Sequence, residues 1–101
     1  MAKNFEFRFV WDPVKADSNW RKHGVSFDLA ATVFNDPFMI STPDLGHDGF
    51  EERWVTIGQA GDSKLLLVIH TYVEINESRA RIRLISARPA TKRERRQYEV
   101  E

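Results

Sequence analysis

The chain contains no cysteine, and this one absence removes disulfides, thiolate metal sites and cysteine nucleophiles together. No apolar run approaches the roughly eighteen residues that a membrane-crossing helix needs. The opening "MAKNFEFRFVWDP" lacks the basic, apolar and small-residue parts of a secretory signal. A soluble, cytoplasmic protein without membrane contact is the expectation. Histidine is sparse as well: His23, His47 and His70 are scattered without ligand spacing, so neither a metal site nor a cofactor is expected. Internal repeats and low-complexity segments are missing. Net charge is missing too, because 15 Lys and Arg balance 15 Asp and Glu.

That neutrality conceals a segregation. The stretch "RIRLISARPATKRERRQYE", residues 81–99, carries six Arg and one Lys against only Glu94 and Glu99, which makes it about +5 and leaves the remainder equally acidic. Charge sorted in this way concerns partners more than folding. With 101 residues, 42% hydrophobic content, three Trp and seven Phe, the chain can build one compact domain over residues 1–101 and no second one.

Periodicity supplies the elements. "FEFRFVW" alternates Phe5, Phe7, Phe9 and Trp11 with other residues, as a half-buried strand does. "DPVKADSNWRKHG" has Asp12 as N-cap, Pro13 at the first helical position, basic residues in the last turn and Gly24 after it, so a helix is predicted over about 13–23. "SFDLAATVFNDP" starts a second helix at Ser26, spaces Phe27, Ala30, Ala31 and Phe34 helically, and stops at Asn35, Asp36 and Pro37. "FMIST" is a short strand candidate, and "PDLGHDGFEE" an acidic loop. "RWVTIG", "LLLVIHTYVEI" and "ARIRLISA", joined by "QAGDSK" and "NESR", predict an antiparallel meander. Thr91 and Glu94 form a capping-box pair that opens a short C-terminal helix. The expected architecture is α+β: two N-terminal helices packed on an antiparallel β-sheet, followed by that short helix.

Within "RARIRLIS", Arg79, Arg81 and Arg83 share one strand face at intervals of roughly 7 Å, while Ala80, Ile82 and Leu84 share the other. Such spacing approximates the phosphates of an extended nucleic-acid strand, and the planar guanidinium can bind phosphate bidentately or stack on a base. Positive charge that protects an exposed strand edge from aggregation is the competing reading.

Three blocks, "FVWDPVKADSNWRKHGVSFDLAATVFNDP", "EERWVTIG" and "RIRLISARPATKRERRQYE", resemble in order and spacing the BrnT family of type II toxins. The resemblance covers nearly the whole chain; "EINESR", a slightly extended hairpin, and the N-terminal strand "FEFRF" depart from the family pattern. It implies a RelE-like ribonuclease that cuts cellular RNA and arrests translation. It also implies neutralisation by a BrnA-type antitoxin with a ribbon-helix-helix DNA-binding domain, in an assembly of two toxins and two antitoxins that contacts operator DNA through the antitoxin. A noncatalytic RNA- or DNA-binding module, or a structural protein with an acidic partner, would use the same basic face; salt-sensitive binding without cleavage marks the former.

Metal-independent RNA cleavage needs a base for the 2′-hydroxyl, cations for the charge growing on phosphorus, and an acid for the departing 5′-oxygen. The matched blocks offer Arg53, Arg83, Arg88 and Tyr98, with His23 and His70 as titratable partners. Each has a plainer role available. His23 stands before Gly24 at a helix C-terminus, where imidazolium suits the dipole. His70 interrupts an apolar strand and can be a satisfied core histidine. Arg53 can pair with Glu51 or Glu52, Tyr98 can pin the last helix to the sheet, and Arg88 sits before Pro89 at the strand-to-helix corner. Arg79, Arg81, Lys92, Arg93, Arg95 and Arg96 are candidates for RNA binding alone. Trp11, Trp20 and Trp54 are expected as core or interface anchors.

Overall fold

The computed structural model describes residues 5–45 and 52–100; the middle of the acidic loop, His47 and the Glu51 partner expected for Arg53 lie outside them. β1 (Glu6–Val10) leads into α1 (Pro13–His23). The Asp12 carboxylate accepts the Val14 N–H at 2.9 Å, and Gly24 closes the helix at φ 67° while its N–H donates to Trp20 O. That left-handed backbone is open to glycine at little cost. In α2 (Phe27–Ala31) the Ser26 hydroxyl accepts the Leu29 N–H. The expected single helix then tightens into a 3-10 turn over Thr32–Asn35. β-branched Thr32 and Val33 are poor α-helix formers, and the Thr32 hydroxyl donates back to Leu29 O at 2.6 Å.

The remaining elements are β2 (Ile40–Pro43), β3 (Trp54–Gln59), β4 (Leu65–His70), β5 (Val73–Asn76), β6 (Arg79–Pro89) and α3 (Lys92–Val100). They assemble in the order β1-β6-β4-β3-β2, with β5 also paired to β6. The meander β2-β3-β4-β6 is antiparallel. β1, however, runs parallel to β6, from Glu6 opposite Arg79 to Val10 opposite Arg83, so the sheet expected to be antiparallel is mixed. Alternation identifies a strand but carries no direction.

The run "LLLVIHTYVEI", expected as one strand, is interrupted at Thr71 and Tyr72. There the register slips: Ile69 faces Ser86 while His70 faces Leu84, leaving Ile85 as the extra residue of a bulge. The bulge reverses the side-chain alternation along β6. Ala80, Ile82, Leu84 and then Ala87 are buried on one face, which puts Arg79, Arg81, Arg83 and then Ser86 and Arg88 on the other.

The first face carries the main core, in which Phe27, Ala30, Val33 and Phe34 pack on Leu66, Val68, Ile82, Leu84 and Ala87. Trp11 borders it, edge-on to Phe27 at 5.9 Å. The opposite face holds a smaller cluster of Ile57, Leu65 and Leu67, against which Ala90 and Tyr98 pack. Trp20 is not a core anchor, being 57% exposed on α1. The buried residue of α1 is Asn19, so this helix is held by polar bonds more than by an apolar stripe.

Candidate active site

A groove of about 310 Å³ lies between α1 and the bulged part of β6, lined by Lys15, Ser18, Asn19, Lys22, His23, Arg53, Ile85 and Ser86. Helical geometry assembles half of it, because residues 15, 18, 19 and 22 recur at three- and four-residue intervals and therefore share one side of α1. His23 follows at the helix end, where Gly24 turns the chain away. The bulge contributes Ile85 and Ser86, and Arg53 comes from the residue preceding β3.

Three formal cations and an imidazole line this space, with no carboxylate among the described residues that line it. Arg53 adds a second signal: its Nε is buried and has no hydrogen-bond partner among the described residues. An orphaned buried donor costs about 1–3 kcal/mol, and such a group calls for an explanation. An anionic oxygen entering the groove provides one.

The expected arginine row continues the same surface. Ala80, Ile82 and Leu84 are 0–1% exposed beneath it, while Arg79 and Arg81 reach solvent and Arg83 is half-buried. Arg8 on β1 stands directly opposite Arg81, a like-charge neighbour that is unfavourable in the absence of an anion. Arg79 has Glu6 opposite, with Nε and Oε1 3.6 Å apart. Followed along β6, the row leads to Ile85 and Ser86 at the groove.

Of the six catalytic candidates, His23 and Arg53 meet in the groove. Arg83 lies on β6 just before the bulge, while Arg88, Tyr98 and His70 are engaged elsewhere. Arg88 donates from both terminal nitrogens to both oxygens of Glu94, each at 2.8 Å. Glu94 closes the capping box with Thr91, accepting its N–H at 2.9 Å and donating its own N–H to the Thr91 hydroxyl at 3.2 Å. The Tyr98 hydroxyl donates to Asp36 at 2.6 Å and its pKa is pushed up to about 12, chiefly by that bond. Burial opposes the Asp36 carboxylate, but donors from Gln59, Tyr98 and Phe38 outweigh it and lower its pKa. Arg88 and Tyr98 therefore fasten α3 to the sheet, with Glu94 and Tyr98 turned inward. Lys92, Arg93, Arg95 and Arg96 are left exposed on the outside.

His70 is 2% exposed. Its Nδ1–H donates to Thr71 O at 2.9 Å, its Nε2 accepts from the Thr56 hydroxyl at 2.6 Å, and burial holds its pKa below the ordinary histidine range. It is the satisfied core histidine of the plainer reading, bordering an apolar cavity with Phe7, Phe34, Met39, Ser41, Trp54 and Tyr72.

The α3 tether has a pH consequence. Glu94 is held at about 2, below its ordinary 4.5, first by Arg88 and then, against burial, by Thr91. Its contribution is therefore complete above the ordinary carboxylate range and lost as the pH falls through the interval down to about 2. With screening at half-exposed Arg88 allowed for, about 2 kcal/mol is expected to disappear. Thermal melts at neutral and acid pH check this: Glu94→Gln should be the less stable at neutrality, with the gap narrowing in acid. A constant gap would remove the tether from the account.

Sequence reasoning concentrated on the basic tail and overlooked Lys15, Ser18, Asn19, Lys22, Ser86 and Arg8. The available signal was the recurrence of polar residues at 15, 18, 19 and 22 in a helix with little apolar periodicity. The groove residues, from Lys15 to Ser86, all fall inside residues 11–94, the span matched by the sequence model of the ribonuclease toxin BrnT of type II toxin–antitoxin systems. The chain belongs to the BrnT family.

A crystal structure of the Brucella abortus ribonuclease toxin BrnT is similar to it, with a TM-score of 0.57 and 21% identity, over 86% of this chain and all of that one. No curated protein matches. Membership in a type II BrnT toxin family implies an antitoxin partner. Arg8, Arg95 and Arg96 lie outside the matched span, so the groove falls within the family region while part of the cationic surround falls beyond it. No helix among the described residues is long and apolar enough to cross a membrane.

Proposed function

We propose that this BrnT-family chain is a RelE-like, metal-independent endoribonuclease that cleaves cellular RNA and arrests translation, with its chemistry in the groove between α1 and β6. The observation that carries the reading is the groove's donor set. Among the described residues, Lys15, Lys22, Arg53 and His23 line it without a carboxylate, and the buried Arg53 Nε–H lacks an acceptor. A nonbridging phosphate oxygen supplies that acceptor. The bond strengthens as attack concentrates negative charge on phosphorus, which is the condition for catalysis rather than binding alone.

His23 takes the 2′-hydroxyl proton. O2′ then bonds to phosphorus as the P–O5′ bond breaks, and Lys15 or Lys22 supplies a proton to O5′. The products are a 2′,3′-cyclic phosphate and a 5′-hydroxyl. Arg8, Arg79, Arg81 and Arg83 guide the flanking strand toward the groove, and Lys92, Arg93, Arg95 and Arg96 extend the attraction through phosphate contacts. Arg88 and Tyr98 keep α3 in place.

The partner in this reading is a BrnA-type ribbon-helix-helix antitoxin, whose acidic or amphipathic segment covers the cationic face in the cytoplasm. Antitoxin dimerisation makes an assembly of two toxins and two antitoxins that binds operator DNA. Light scattering on the co-purified pair tests the stoichiometry, and a one-to-one particle without operator binding rejects it.

Purified chain, free of antitoxin, is expected to fragment total RNA in the presence of chelator, and its expression alone is expected to arrest bacterial growth. Intact RNA together with salt-sensitive binding would instead establish a noncatalytic module. Fragmentation that stops on chelation would reject the metal-independent step.

A further inference from the structure

We propose that Asn19 is the positioning residue of the groove, the group that sets helix-borne Lys15, Lys22 and His23 against strand-borne Ser86 and against Arg53; the assignment rests on the ribonuclease reading above. Asn19 is 5% exposed in the middle of α1, a position where asparagine does not favour helix. Its carboxamide is fully used. Nδ2 donates to Val25 O and to Ala87 O, both at 2.9 Å. Oδ1 accepts the Ala87 N–H at 3.0 Å and the Ser86 hydroxyl at 3.4 Å. Two donors and two acceptor sites are all that an amide side chain offers.

Topology explains why these bonds matter. β1 pairs with β6 only from Arg79 to Arg83, so beyond that point β6 has no strand neighbour on the β1 side among the described residues. The Asn19 amide takes both main-chain groups of Ala87, acting as a single peptide unit of an absent strand. The contact falls two residues after bulged Ile85 and beside Ser86, so the segment held is the one that lines the groove. The bond to Val25 O simultaneously holds the turn that follows His23 and Gly24. One amide thus joins the helix, its exit and the bulge, while Lys15, Ser18 and Lys22 project from the helix at neighbouring turns.

Neither Asp nor Ser can replace it. Aspartate keeps both acceptors but turns a carboxylate toward the carbonyls of Val25 and Ala87, and serine is too short to span them. A displacement near 1 Å between the two halves of the site leaves phosphate binding nearly intact and disrupts alignment, for which a loss of about 100-fold is the ordinary scale.

The test is single-turnover cleavage of a labelled, mixed-sequence RNA oligonucleotide by Asn19→Ser and Asn19→Asp. Affinity is measured separately on the uncleavable 2′-O-methyl analogue, folding by thermal melt, and Arg53→Ala is run alongside. A fall of about 100-fold in maximal rate with affinity within about threefold, in whichever variant is folded at the assay temperature, is the expected result. Unchanged cleavage, or a rate loss matched by equal loss of affinity, overturns the assignment. So does failure of both variants to fold, because the residue would then be scaffold alone. Wild-type cleavage by Arg53→Ala rejects the groove reading itself, and the positioning role with it. A dead Arg53→Ala beside fully active Asn19 variants rejects the positioning role only.

Discussion

Arg53→Ala is expected to lower RNA cleavage by about 100- to 1,000-fold, the range for loss of one preorganised donor to a developing oxyanion, without lowering thermal stability. The two halves of this result have one cause. The Arg53 Nε is buried and unpartnered among the described residues of the free protein, so losing that N–H breaks no bond to them and relieves a desolvated donor. In the proposed RNA complex, the same N–H meets an oxygen whose charge grows toward the transition state, so its removal is expected to appear in rate more than in affinity. Arg95→Ala is the comparison. It lies on the outer side of α3, exposed and outside the groove. Its loss should weaken binding modestly, reduce the salt slope by about one unit and leave the maximal rate nearly unchanged. Paired measurements of single-turnover rate and affinity decide between the two patterns. Equal behaviour of the variants would reduce the surface to a docking site.

Phe27→Ala is expected to act in the opposite way, removing about 3–5 kcal/mol of stability while touching nothing in the groove. Phe27 is 2% exposed at the centre of the main core, edge-on to Trp11. The close-packed sheet beneath it cannot collapse to fill the cavity. For a domain of this size each kcal/mol moves the melting temperature by about 4–8 °C, and total stability is commonly only about 5–15 kcal/mol. Toxicity in cells should therefore decline together with soluble protein, as an immunoblot would reveal. The specific cleavage rate of the folded fraction should be preserved at low temperature. A melt shifted by less than a few degrees would mean that the core is arranged differently.

The contrast separates residues that make the fold from residues that use it, a distinction the basic tail blurred. Judged by charge, Arg88, Arg93, Arg95 and Arg96 looked alike. Their separation depends on Glu94, which faces Arg88 with both oxygens, and on the direction α3 takes after Pro89. Tyr98 was legible as a pin for the last helix, although its acceptor, Asp36, is distant in the chain.

What the sequence determined by itself was local. Asp12, Pro13, Gly24 and Ser26 delimit helices through groups within one turn of themselves, Thr91 and Glu94 do so for α3, and alternation separates Arg79 and Arg81 from Ala80 and Ile82. These outcomes follow from short-range sterics and hydrogen bonds, which neighbouring residues suffice to specify. The parallel pairing of β1 with β6, the bulge at Ile85 that reverses the alternation after Leu84, and the docking of α1 through Asn19 were decided by tertiary structure. Each depends on main-chain groups far away in the chain finding partners once the core has closed. The groove follows from those three together, because Lys15, Lys22 and His23 become neighbours of Arg53 and Ser86 only after an open strand edge has been satisfied by a helix.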